Sequence, residues 1–299
     1  MREQDSTTDR TTIHVPKRAA EGVGKQRASL IVISGWEIGR EIPLSARDQV
    51  FGRSVLATTR IVAPSVSREH ARIALIDRGG ERFYELTDLR SRNGTCLNNE
   101  PIETARLEDG DKVQMGEVVF KFAIQDDLDA QFHQDIHRLI NYDQLTGLLT
   151  MEAFSRRLQV EIHKKRTFTL AMTDLDGLKR VNDTYGHPTG SNVVREMGAM
   201  MRATLRDQDF AALYGGDETI VLFPETSIAE AREVAERIRK TIESRVFESP
   251  DETFSVTISQ GLAEWPRHGA TADDVVAAAD AALYAAKDDG RNCVRCAGD

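Results

Sequence analysis

The pattern of apolar residues changes near residue 126. Before that point, residues 28–125 hold short β-rich runs separated by turn residues such as Gly79-Gly80 and Asp109-Gly110. Many short strands at near-regular spacing predict a β-sandwich. After it, longer amphipathic stretches alternate with apolar runs, a pattern typical of helices packed on a sheet. The chain is therefore expected to fold into two domains of different architecture.

Residues 142–299 predict an α/β domain with helices packed on a mixed sheet. The apolar spacing predicts helices over residues 151–165, 189–205, 228–244 and 271–287. Strands are predicted over residues 168–174, 209–214, 218–223 and 253–262. A tight hairpin at Gly215-Gly216 would join the second and third of these strands.

Between the two domains, residues 126–141 carry one apolar stripe on a predicted helix. The stripe consists of Leu128, Phe132, Ile136, Leu139 and Ile140. Two interpretations stay open: a helix that packs on its own domain, or a linker helix that pairs with a second copy of the chain. The stripe covers only about two heptads, which is too short to decide between them.

Charge and composition exclude several classes of protein. The chain has 39 Lys and Arg against 48 Asp and Glu, a net charge of −9. We expect no nucleic-acid partner, because such binding needs a basic face. We also expect no membrane partner, since no apolar run is long enough to span a bilayer. Three cysteines close no disulfide framework and the N-terminus lacks the apolar core of a secretion signal, so a cytoplasmic location is expected.

Residues 1–27 form a tail with too few apolar side chains to offset chain entropy. The tail holds several threonines, of which Thr8, Thr11 and Thr12 are candidate phosphorylation sites. We therefore divide the chain into the tail, a β domain over 28–125, a helix over 126–141 and an α/β domain over 142–299.

Four short motifs stand out in the β domain, and their order and spacing are more specific than any of them alone. They are Gly52-Arg53, Ser67-Arg68-Glu69-His70, Ser91-Arg92-Asn93-Gly94-Thr95 and the closing strand 118–123. Residues 28–125 thus resemble a forkhead-associated (FHA) domain, a family that binds phosphothreonine. Phosphothreonine brings nearly two negative charges, which arginine can bind through charge-assisted hydrogen bonds.

The resemblance implies a set of phosphothreonine-binding residues: Arg53, Ser67, Arg68, Arg92 and Asn93. Gly52 and His70 are interpreted as residues that shape the loops. The ligand would be a threonine phosphorylated by a Ser/Thr kinase, either in the tail of this chain or in a partner protein. Tethering would give a tail ligand a high effective concentration.

The α/β domain carries a second series of motifs. An apolar strand ends in Asp174-Leu175-Asp176, and the hairpin sequence is Gly215-Gly216-Asp217-Glu218-Thr219. The flanking motifs are Asp143-x-Leu-Thr-Gly-Leu148, Lys179-x-x-Asn182-Asp183-Thr-Tyr-Gly-His187, and Asp280-Ala-Ala-Leu-Tyr-Ala-Ala-Lys287-x-x-Gly290-Arg291-Asn292. Residues 142–295 resemble the GGDEF domain of diguanylate cyclases. This implies a fold like that of nucleotide cyclases and polymerase palms, in which two domains face each other as a homodimer to join two nucleoside triphosphates into a cyclic dinucleotide.

The resemblance implies the following roles. Two Mg²⁺ (or Mn²⁺) ions per active site would be bound by Asp174, the Leu175 carbonyl, Asp217 and Glu218. Carboxylate and carbonyl oxygens suit such hard cations. Catalysis would use Asp217, Glu218 and Lys179. GTP would be bound by Lys179, Asn182, Ser191, Gly216, Lys287 and Arg291. A cyclic dinucleotide would bind at an inhibitory site formed by Arg206 and Asp209, although such a spacing is also common in a surface ion pair.

Several positions depart from the family pattern, and Ser191 matters most. Asp is usual there and accepts two hydrogen bonds from guanine, whereas serine offers one hydroxyl. A serine at this position resembles a subgroup of GGDEF enzymes that accept ATP together with GTP and make 3′,3′-cyclic GMP-AMP. The alternative is that Ser191 still binds guanine and the product remains cyclic di-GMP.

The other departures are Leu149-Thr150, Leu178, Leu213, Thr219 and Gln260, the last in a predicted S-x-G turn. None removes a metal ligand. These departures argue for a competing function, a catalytically degenerate receptor for cyclic dinucleotides that serves as a phosphopeptide adaptor. The intact catalytic residues argue against it: Asp174, Asp217, Glu218, Lys179 and Arg291. Cys293-x-x-Cys296 is half of a zinc-site pattern without a second pair, so no zinc site is predicted.

Overall fold

The structure, a computed structural model, describes residues 26–35, 37–249 and 252–299. The tail threonines Thr8, Thr11 and Thr12 lie outside these residues. Within the described part, an N-terminal β domain is followed by one helix and then by an α/β domain. No helix in this part of the chain is long and apolar enough to cross a membrane.

The first domain is built from short strands. In chain order they are β1 (Arg27–Ser34), β2 (Glu41–Pro43), β3 (Gln49–Gly52), β4 (Thr59–Arg60), β5 (Ala71–Arg78), β6 (Glu81–Asp88), β7 (Thr95–Leu97), β8 (Glu100–Ile102), β9 (Thr104–Leu107), β10 (Lys112–Met115) and β11 (Val118–Gln125). They form two sheets, in the orders β2-β1-β11-β10-β7-β8 and β4-β3-β5-β6-β9.

The two sheets pack face to face as the predicted β-sandwich. Alternate side chains of each strand point inward, as the period of two along a strand requires. The core between the sheets contains the almost fully buried side chains of Leu30, Phe51, Ile73, Leu86, Val113, Phe120 and Phe122. The loops that follow β3 and that connect β4 to β5 and β6 to β7 meet at one end of the sandwich, where the predicted phosphothreonine-binding residues lie.

The linking helix and the second domain follow. The helices are α1 (Asp127–Asn141), α2 (Met151–Lys164), α3 (Leu178–Tyr185), α4 (His187–Thr204), α5 (Ile228–Glu243) and α6 (Ala272–Asp288). The strands are β12 (Phe168–Asp176), β13 (Phe210–Gly215), β14 (Glu218–Pro224), β15 (Val246–Glu248), β16 (Thr253–Ser255), β17 (Thr257–Trp265) and β18 (Val294–Cys296).

The central sheet of the second domain has the order β13-β14-β12-β17-β18. Its strands are antiparallel apart from the parallel pair β17 and β18, so the sheet is mixed as predicted. Residues alternate between its two faces. Ala171 and Val221 pack under α4 and α5, whereas Leu170 and Leu222 pack under α2 and α6. Helices on both faces leave the strand ends as the places where polar groups can gather.

Helix α1 begins at a strong cap. The Asp126 carboxylate accepts hydrogen bonds from the amides of Leu128 and Asp129, which stabilises the first turn. Most of the apolar stripe predicted on this helix is exposed. The exposed fractions are 75% for Leu128, 61% for Phe132, 58% for Leu139 and 39% for Ile140. The stripe therefore does not serve mainly to pack the helix on its own domain.

The C-terminal end of α1 is tied to both domains. Asn141 is buried, and its Nδ2 donates to the carbonyl oxygens of Ile38 at 2.7 Å and His137 at 2.8 Å. Its Oδ1 accepts from Arg156 of α2 at 3.0 Å. Gly39 (φ +85°) comes so close that a Cβ there would lie 2.9 Å from His137 Cα. These contacts join the two domains through the end of the helix.

One helix of the second domain was missed, and two local predictions for that domain were wrong. Helix α3 was not predicted, because it has only eight residues and follows Gly177 without a side-chain cap. The strand predicted over 253–262 is divided between β16 and β17. Gln260 lies inside β17 rather than in a turn, fully buried, and its Nε2 donates to the Ala235 carbonyl at 2.8 Å. The side chain thus fastens α5 to the sheet.

Candidate functional site

Three carboxylates meet at one end of the central sheet. β12 and β14 are neighbours, and their register places Asp174 opposite Glu218. Asp217 precedes Glu218 in the hairpin, where Gly216 adopts φ +59°. This left-handed conformation favours glycine, so the Gly-Gly sequence is what allows so tight a turn.

The carboxylates disfavour one another's charge. Burial raises the pKa of Asp217, and the Asp174 charge raises it further. Burial and Asp174 likewise raise the pKa of Glu218. The cation that partly offsets this repulsion is Lys287 of α6, whose Nζ lies 2.9 Å from Asp174 Oδ2. The site therefore has an excess of negative charge, as a cation-binding site does before its cation binds.

The oxygen donors present fit Mg²⁺ or Mn²⁺. Within the described residues, no group of three or more His, Cys, Asp or Glu side chains is close enough to hold a metal by itself. Mg²⁺ does not need such a cage, because it keeps several waters and is commonly bound by one or two carboxylates together with substrate phosphates. Asp174 and Asp217 would supply the carboxylates, and Glu218 lies beside them.

Two predicted base-binding residues lie together at the junction of α3 and α4. Gly186 (φ +84°) ends the first helix and begins the second, which turns Asn182 towards the start of α4. The approach is so close that a Cβ on Gly190 would lie 1.9 Å from Asn182 Oδ1. Ser191 follows directly and is half-buried. The Asn182 amide therefore lies against the residue that precedes Ser191, and an amide and a hydroxyl are groups that can bind the polar edge of a purine.

Lys179 lies in the first turn of α3, immediately after the strand that carries Asp174. Arg291 lies in the turn after α6, with φ +68°. Lys179 and Lys287 thus lie on two separate helices, and Arg291 follows shortly after the helix that carries Lys287. This combination of anionic and cationic groups is able to bind a metal–triphosphate complex.

Asp176 is a site residue whose role the sequence analysis missed. It accepts hydrogen bonds from Thr257 Oγ1 at 2.7 Å, Ser259 Oγ at 2.7 Å and the Asn292 amide at 3.1 Å. The last of these holds the turn that contains Arg291. The D-L-D spacing was a signal, because residues 174 and 176 share one face of the strand. The structure shows that Asp176 positions neighbouring groups.

The predicted inhibitory site lies between α4 and β13. The Arg206 amide donates to Asp209 Oδ2 at 3.0 Å, and the Arg206 side chain is exposed. Asp209 is 8% exposed, and its Oδ1 has no hydrogen-bond partner among the described residues. Burial raises the pKa of this carboxyl, although the hydrogen bond and the Arg206 charge oppose the change. A buried carboxylate oxygen without a partner is costly, and a hydrogen-bond donor of a ligand would relieve it.

In the first domain, a groove of about 640 Å³ gathers most of the predicted phosphothreonine-binding residues. Those that line it are Arg53, Ser67, Arg68 and Arg92. Asn93 lies at its edge, since Asn93 Nδ2 donates to the Ser65 carbonyl at 2.6 Å and Ser65 also lines the groove.

The groove is held in shape by its neighbours. His70 accepts a hydrogen bond from the Ser67 amide at 3.0 Å, and its other ring nitrogen lies 3.1 Å from the Gly94 carbonyl. Burial lowers the pKa of His70, which favours the neutral ring. A Cβ at Gly52 would lie 2.1 Å from the Arg68 carbonyl oxygen. Gly52 and His70 therefore have the loop-shaping places that were expected for them.

Comparisons with known families agree with this geometry. The model of the family described as diguanylate cyclase, GGDEF domain, matches residues 140–293. The model of the FHA domain matches residues 36–116.

Curated relatives match through the second domain. Diguanylate cyclase A of Treponema denticola is 41% identical over 131 residues, which are 44% of this chain and 35% of that protein. Diguanylate cyclase DgcP of Pseudomonas aeruginosa is 38% identical over 154 residues, which are 50% of this chain and 23% of that protein. The chain therefore spans about a third or less of the length of these relatives.

Solved structures show the same fold. The GGDEF domain of DgcB from Caulobacter crescentus, solved in complex with c-di-GMP, is 34% identical with a TM-score of 0.51 and covers 53% of this chain and 96% of that one. Diguanylate cyclase SiaD from Pseudomonas aeruginosa, solved with its activator SiaC, is 34% identical with a TM-score of 0.52 and covers 57% of this chain and 66% of that one. Because the family model matches more than half of its residues, the chain belongs to the GGDEF family of diguanylate cyclases and carries an FHA domain ahead of its GGDEF domain.

Proposed function

We propose that the chain joins two nucleoside triphosphates, GTP in the first place, into a cyclic dinucleotide with release of pyrophosphate. The observation that carries this proposal is the group of Asp174, Asp217 and Glu218 at one sheet end, with Lys287 beside them. The chain is also similar to the GGDEF domain of DgcB, which was solved with c-di-GMP, and this similarity supports the same class of product.

The residues of the site would divide the work as follows. Lys179, Lys287 and Arg291 would hold the triphosphate, and the Gly216 backbone leaves room for a phosphate to approach. Asp174, Asp217, Glu218 and the Leu175 carbonyl would hold the metal ions. Two bound Mg²⁺ or Mn²⁺ ions would lower the pKa of the attacking hydroxyl and offset charge on the α-phosphate.

In each half-reaction, the 3′-oxygen of one nucleotide forms a bond to the α-phosphorus of the other. The bond from that phosphorus to the bridging oxygen breaks, and pyrophosphate leaves. Glu218 would accept the hydroxyl proton. Burial and the Asp174 charge raise the pKa of Glu218 in the metal-free site, and bound cations would oppose this rise.

The reaction needs two nucleotides facing each other, so each domain supplies half of the catalytic centre and the active form would be a homodimer. The exposed apolar stripe of α1 supports this arrangement. A second copy of the chain is a suitable partner for the stripe, because pairing two identical helices buries both stripes at once.

The base preference depends on Ser191. A site built to accept two hydrogen bonds from guanine rejects a base that cannot donate them, and one hydroxyl gives weaker discrimination. We propose that the enzyme accepts ATP beside GTP and makes 3′,3′-cyclic GMP-AMP beside cyclic di-GMP. The alternative is that Ser191, next to Asn182, still selects guanine.

A product assay tests both parts of the proposal. Purified protein is incubated with Mg²⁺ and GTP, ATP or an equal mixture, and the products are separated by mass. We expect cyclic di-GMP from GTP and a cyclic GMP-AMP peak from the mixture, which Ser191→Asp should remove. An unchanged product ratio in Ser191→Asp would count against relaxed base selection.

Asp217→Ala and Glu218→Ala serve as the catalytic controls. Each should abolish the product while the circular dichroism spectrum stays unchanged. Turnover retained in both variants would overturn the assignment of the catalytic centre.

Arg206 and Asp209 are proposed as the inhibitory site for the cyclic dinucleotide product. The exposed guanidinium would bind a phosphodiester, and the unpartnered oxygen of Asp209 would accept a hydrogen bond from a base. Arg206→Ala should therefore lose binding of cyclic di-GMP in calorimetry and keep full turnover at high product concentration.

The FHA domain is proposed to bind a phosphothreonine peptide through Arg53, Ser67, Arg68, Arg92 and Asn93. The groove that four of these residues line supports the proposal. The ligand would be a phosphorylated threonine of the tail or of a partner protein, produced by a Ser/Thr kinase.

The second candidate function is a receptor without turnover, which would bind cyclic dinucleotide at Arg206 while the FHA domain recruits a partner. It is favoured by the substitutions Leu213 and Thr219 next to the hairpin, and the product assay decides between the two.

A further inference from the structure

Two arginines of the FHA domain lie side by side where that domain meets the GGDEF domain. β3 and β4 pair in parallel with Gly52 opposite Arg60, so Arg60 lies beside the residue that precedes Arg53. The Ile61 amide donates to the Gly52 carbonyl at 2.8 Å and holds this pairing. Both arginine side chains are exposed, and neither forms an ion pair with a carboxylate among the described residues.

A second cavity continues from the phosphothreonine groove into the domain junction. Arg53 and Pro64 line both cavities, and Arg60 lines the second. The second cavity, here called the junction cavity, has a volume of about 430 Å³. Its opposite wall belongs to the GGDEF domain and consists of Val160, His163, Lys164, Arg166 and Glu225.

The junction cavity is positively charged. On the GGDEF side, Arg166 is paired with Glu225 at 2.7 Å and Lys164 with Glu161 at 2.9 Å. On the FHA side, the charges of Arg53 and Arg60 have no such compensation. A concave surface concentrates the field of such charges and attracts anions, even in a chain with a net charge of −9.

The charges of the two domains are close enough to interact. Burial lowers the pKa of the Arg157 guanidinium in α2; the ion pair with Glu161 opposes this decrease, and the positive charge of Arg60 across the junction adds to it. An anion bound near Arg60 would reduce this repulsion. The wall of the GGDEF domain is therefore electrostatically coupled to the FHA domain.

We infer that the phosphothreonine-binding site extends across the domain junction and takes a phosphopeptide that carries a second anionic group near its phosphothreonine. The phosphothreonine binds Arg53 in the FHA groove. The second group, a phosphate or a carboxylate, binds Arg60 and the GGDEF residues His163 and Arg166. The inference rests on the proposed phosphothreonine-binding function, and it makes the peptide a bridge that holds the two domains in one orientation.

The junction cavity is far from the catalytic carboxylates. β14 runs from Glu218 in the catalytic hairpin to Pro224, and Glu225 of the cavity follows directly. Seven strand residues span about 23 Å. A bridging peptide therefore acts on the relative position of the domains and leaves the catalytic groups untouched.

The test compares two fluorescent peptides of residues 5–17, one phosphorylated at Thr12 and one at both Thr11 and Thr12. Their affinities for the full chain are measured by fluorescence anisotropy. The variant His163→Gln/Arg166→Gln removes the imidazole and the guanidinium that the GGDEF domain contributes to the junction cavity. Arg232→Gln/Lys240→Gln removes two exposed cations of α5 and serves as the matched control. Arg53→Ala tests the phosphothreonine site itself.

We expect the wild-type chain to bind the doubly phosphorylated peptide about tenfold more tightly, because the second phosphate gains charge-assisted hydrogen bonds. His163→Gln/Arg166→Gln should reduce this ratio to about two, while its affinity for the singly phosphorylated peptide and its basal turnover match those of the control variant.

A ratio near one in the wild-type chain, or the wild-type ratio in the junction variant, would overturn the inference. Unchanged binding of both peptides by Arg53→Ala would instead overturn the proposed phosphothreonine site. The two failures are therefore distinguishable.

Discussion

At the scale of single residues, the candidate site contains groups that are proposed to contact substrate and groups that position them. Asp176 belongs to the second kind, because its carboxylate accepts from two hydroxyls of β17 and from the amide of Asn292, next to Arg291. Asn292 in turn accepts from Arg239 at 2.7 Å and donates to Glu243 at 2.6 Å, so the turn is fastened on two sides.

Asp176→Asn is predicted to weaken this anchoring and to let Arg291 move. The KM for GTP should rise about tenfold, an effect of the size seen when residues behind a binding group are changed. Steady-state kinetics measure the change. Asp273→Asn, an exposed carboxylate in the first turn of α6, is the control. Equal KM values for the two variants would contradict the positioning role.

The ionised Asp217 carboxylate is predicted to lower the free energy of unfolding of the metal-free protein. Its folded pKa lies above the ordinary value of 3.8, because of burial and the charge of Asp174. The folded chain therefore binds more protons than the unfolded chain in the pH window between the two pKa values. The free energy of unfolding consequently falls as the pH rises through that window.

Asp217→Asn removes this loss. The variant should melt a few degrees above the wild type in EDTA at about pH 7.5, a difference that shrinks at about pH 4 as the wild-type carboxyl takes up its proton. The variant should also make no product. Thermal unfolding at both pH values measures the effect, and a variant less stable than the wild type at the higher pH would contradict it.

At the scale of elements, local patterns predicted the second domain well where they were long. The four predicted helices and the strand before Asp174 are present, because an apolar stripe over three turns or more is hard to mistake. Helix α3 was not predicted, because its eight residues are too few to show such a stripe. Gln260 could not be placed from the sequence either, because a buried amide is acceptable only where partners such as the Ala235 carbonyl and Thr173 Oγ1 happen to lie nearby.

The exposed apolar stripe of α1 is the proposed contact between two copies of the chain. Phe132→Glu places a charge in the exposed apolar stripe and should convert the proposed homodimer to a monomer, since a buried unpaired charge is costly. Turnover should fall in parallel, because one domain holds only half of the catalytic centre. Sedimentation velocity measures the oligomeric state.

Gln131→Glu adds the same charge at an exposed neighbouring position on the helix and should leave the dimer intact. A dimer retained by Phe132→Glu, with full turnover, would show that the stripe is not the dimer contact.

At the scale of the whole molecule, the FHA domain, α1 and the GGDEF domain are joined by specific contacts. Asn141 bonds to the FHA loop at Ile38 and to Arg156 of the GGDEF domain, and the junction cavity is lined from both sides. Such a connection lets a ligand of one domain shift the populated arrangement of the other, provided that the ligand binds one arrangement better.

A phosphothreonine peptide is therefore predicted to change the rate of cyclic-dinucleotide synthesis in the full chain. The peptide of residues 5–17 phosphorylated at Thr12 should change turnover at least about twofold, which corresponds to a modest coupling between the two sites. Arg53→Ala should have the same basal turnover and no response. A response that persists in Arg53→Ala would place the effect outside the FHA groove.

The amino-acid sequence by itself determined the features that depend on local spacing and residue type. These are the change of architecture near residue 126, the family of each domain and the identity of the charged residues at the strand end and in the hairpin. The physical reason is that strand and helix periods and tight turns depend on neighbouring residues in the chain. The resemblance of the motifs to those of the two families implies a chemical role for the residues at those positions.

Only the tertiary structure decided which distant groups meet. It placed Lys287 on Asp174, Asp176 behind the turn of Arg291, and Arg60 of the FHA domain across from Arg166 of the GGDEF domain. It also left the stripe of α1 exposed. These outcomes depend on packing between segments far apart in sequence, where burial and charge are set by neighbours that no local pattern contains.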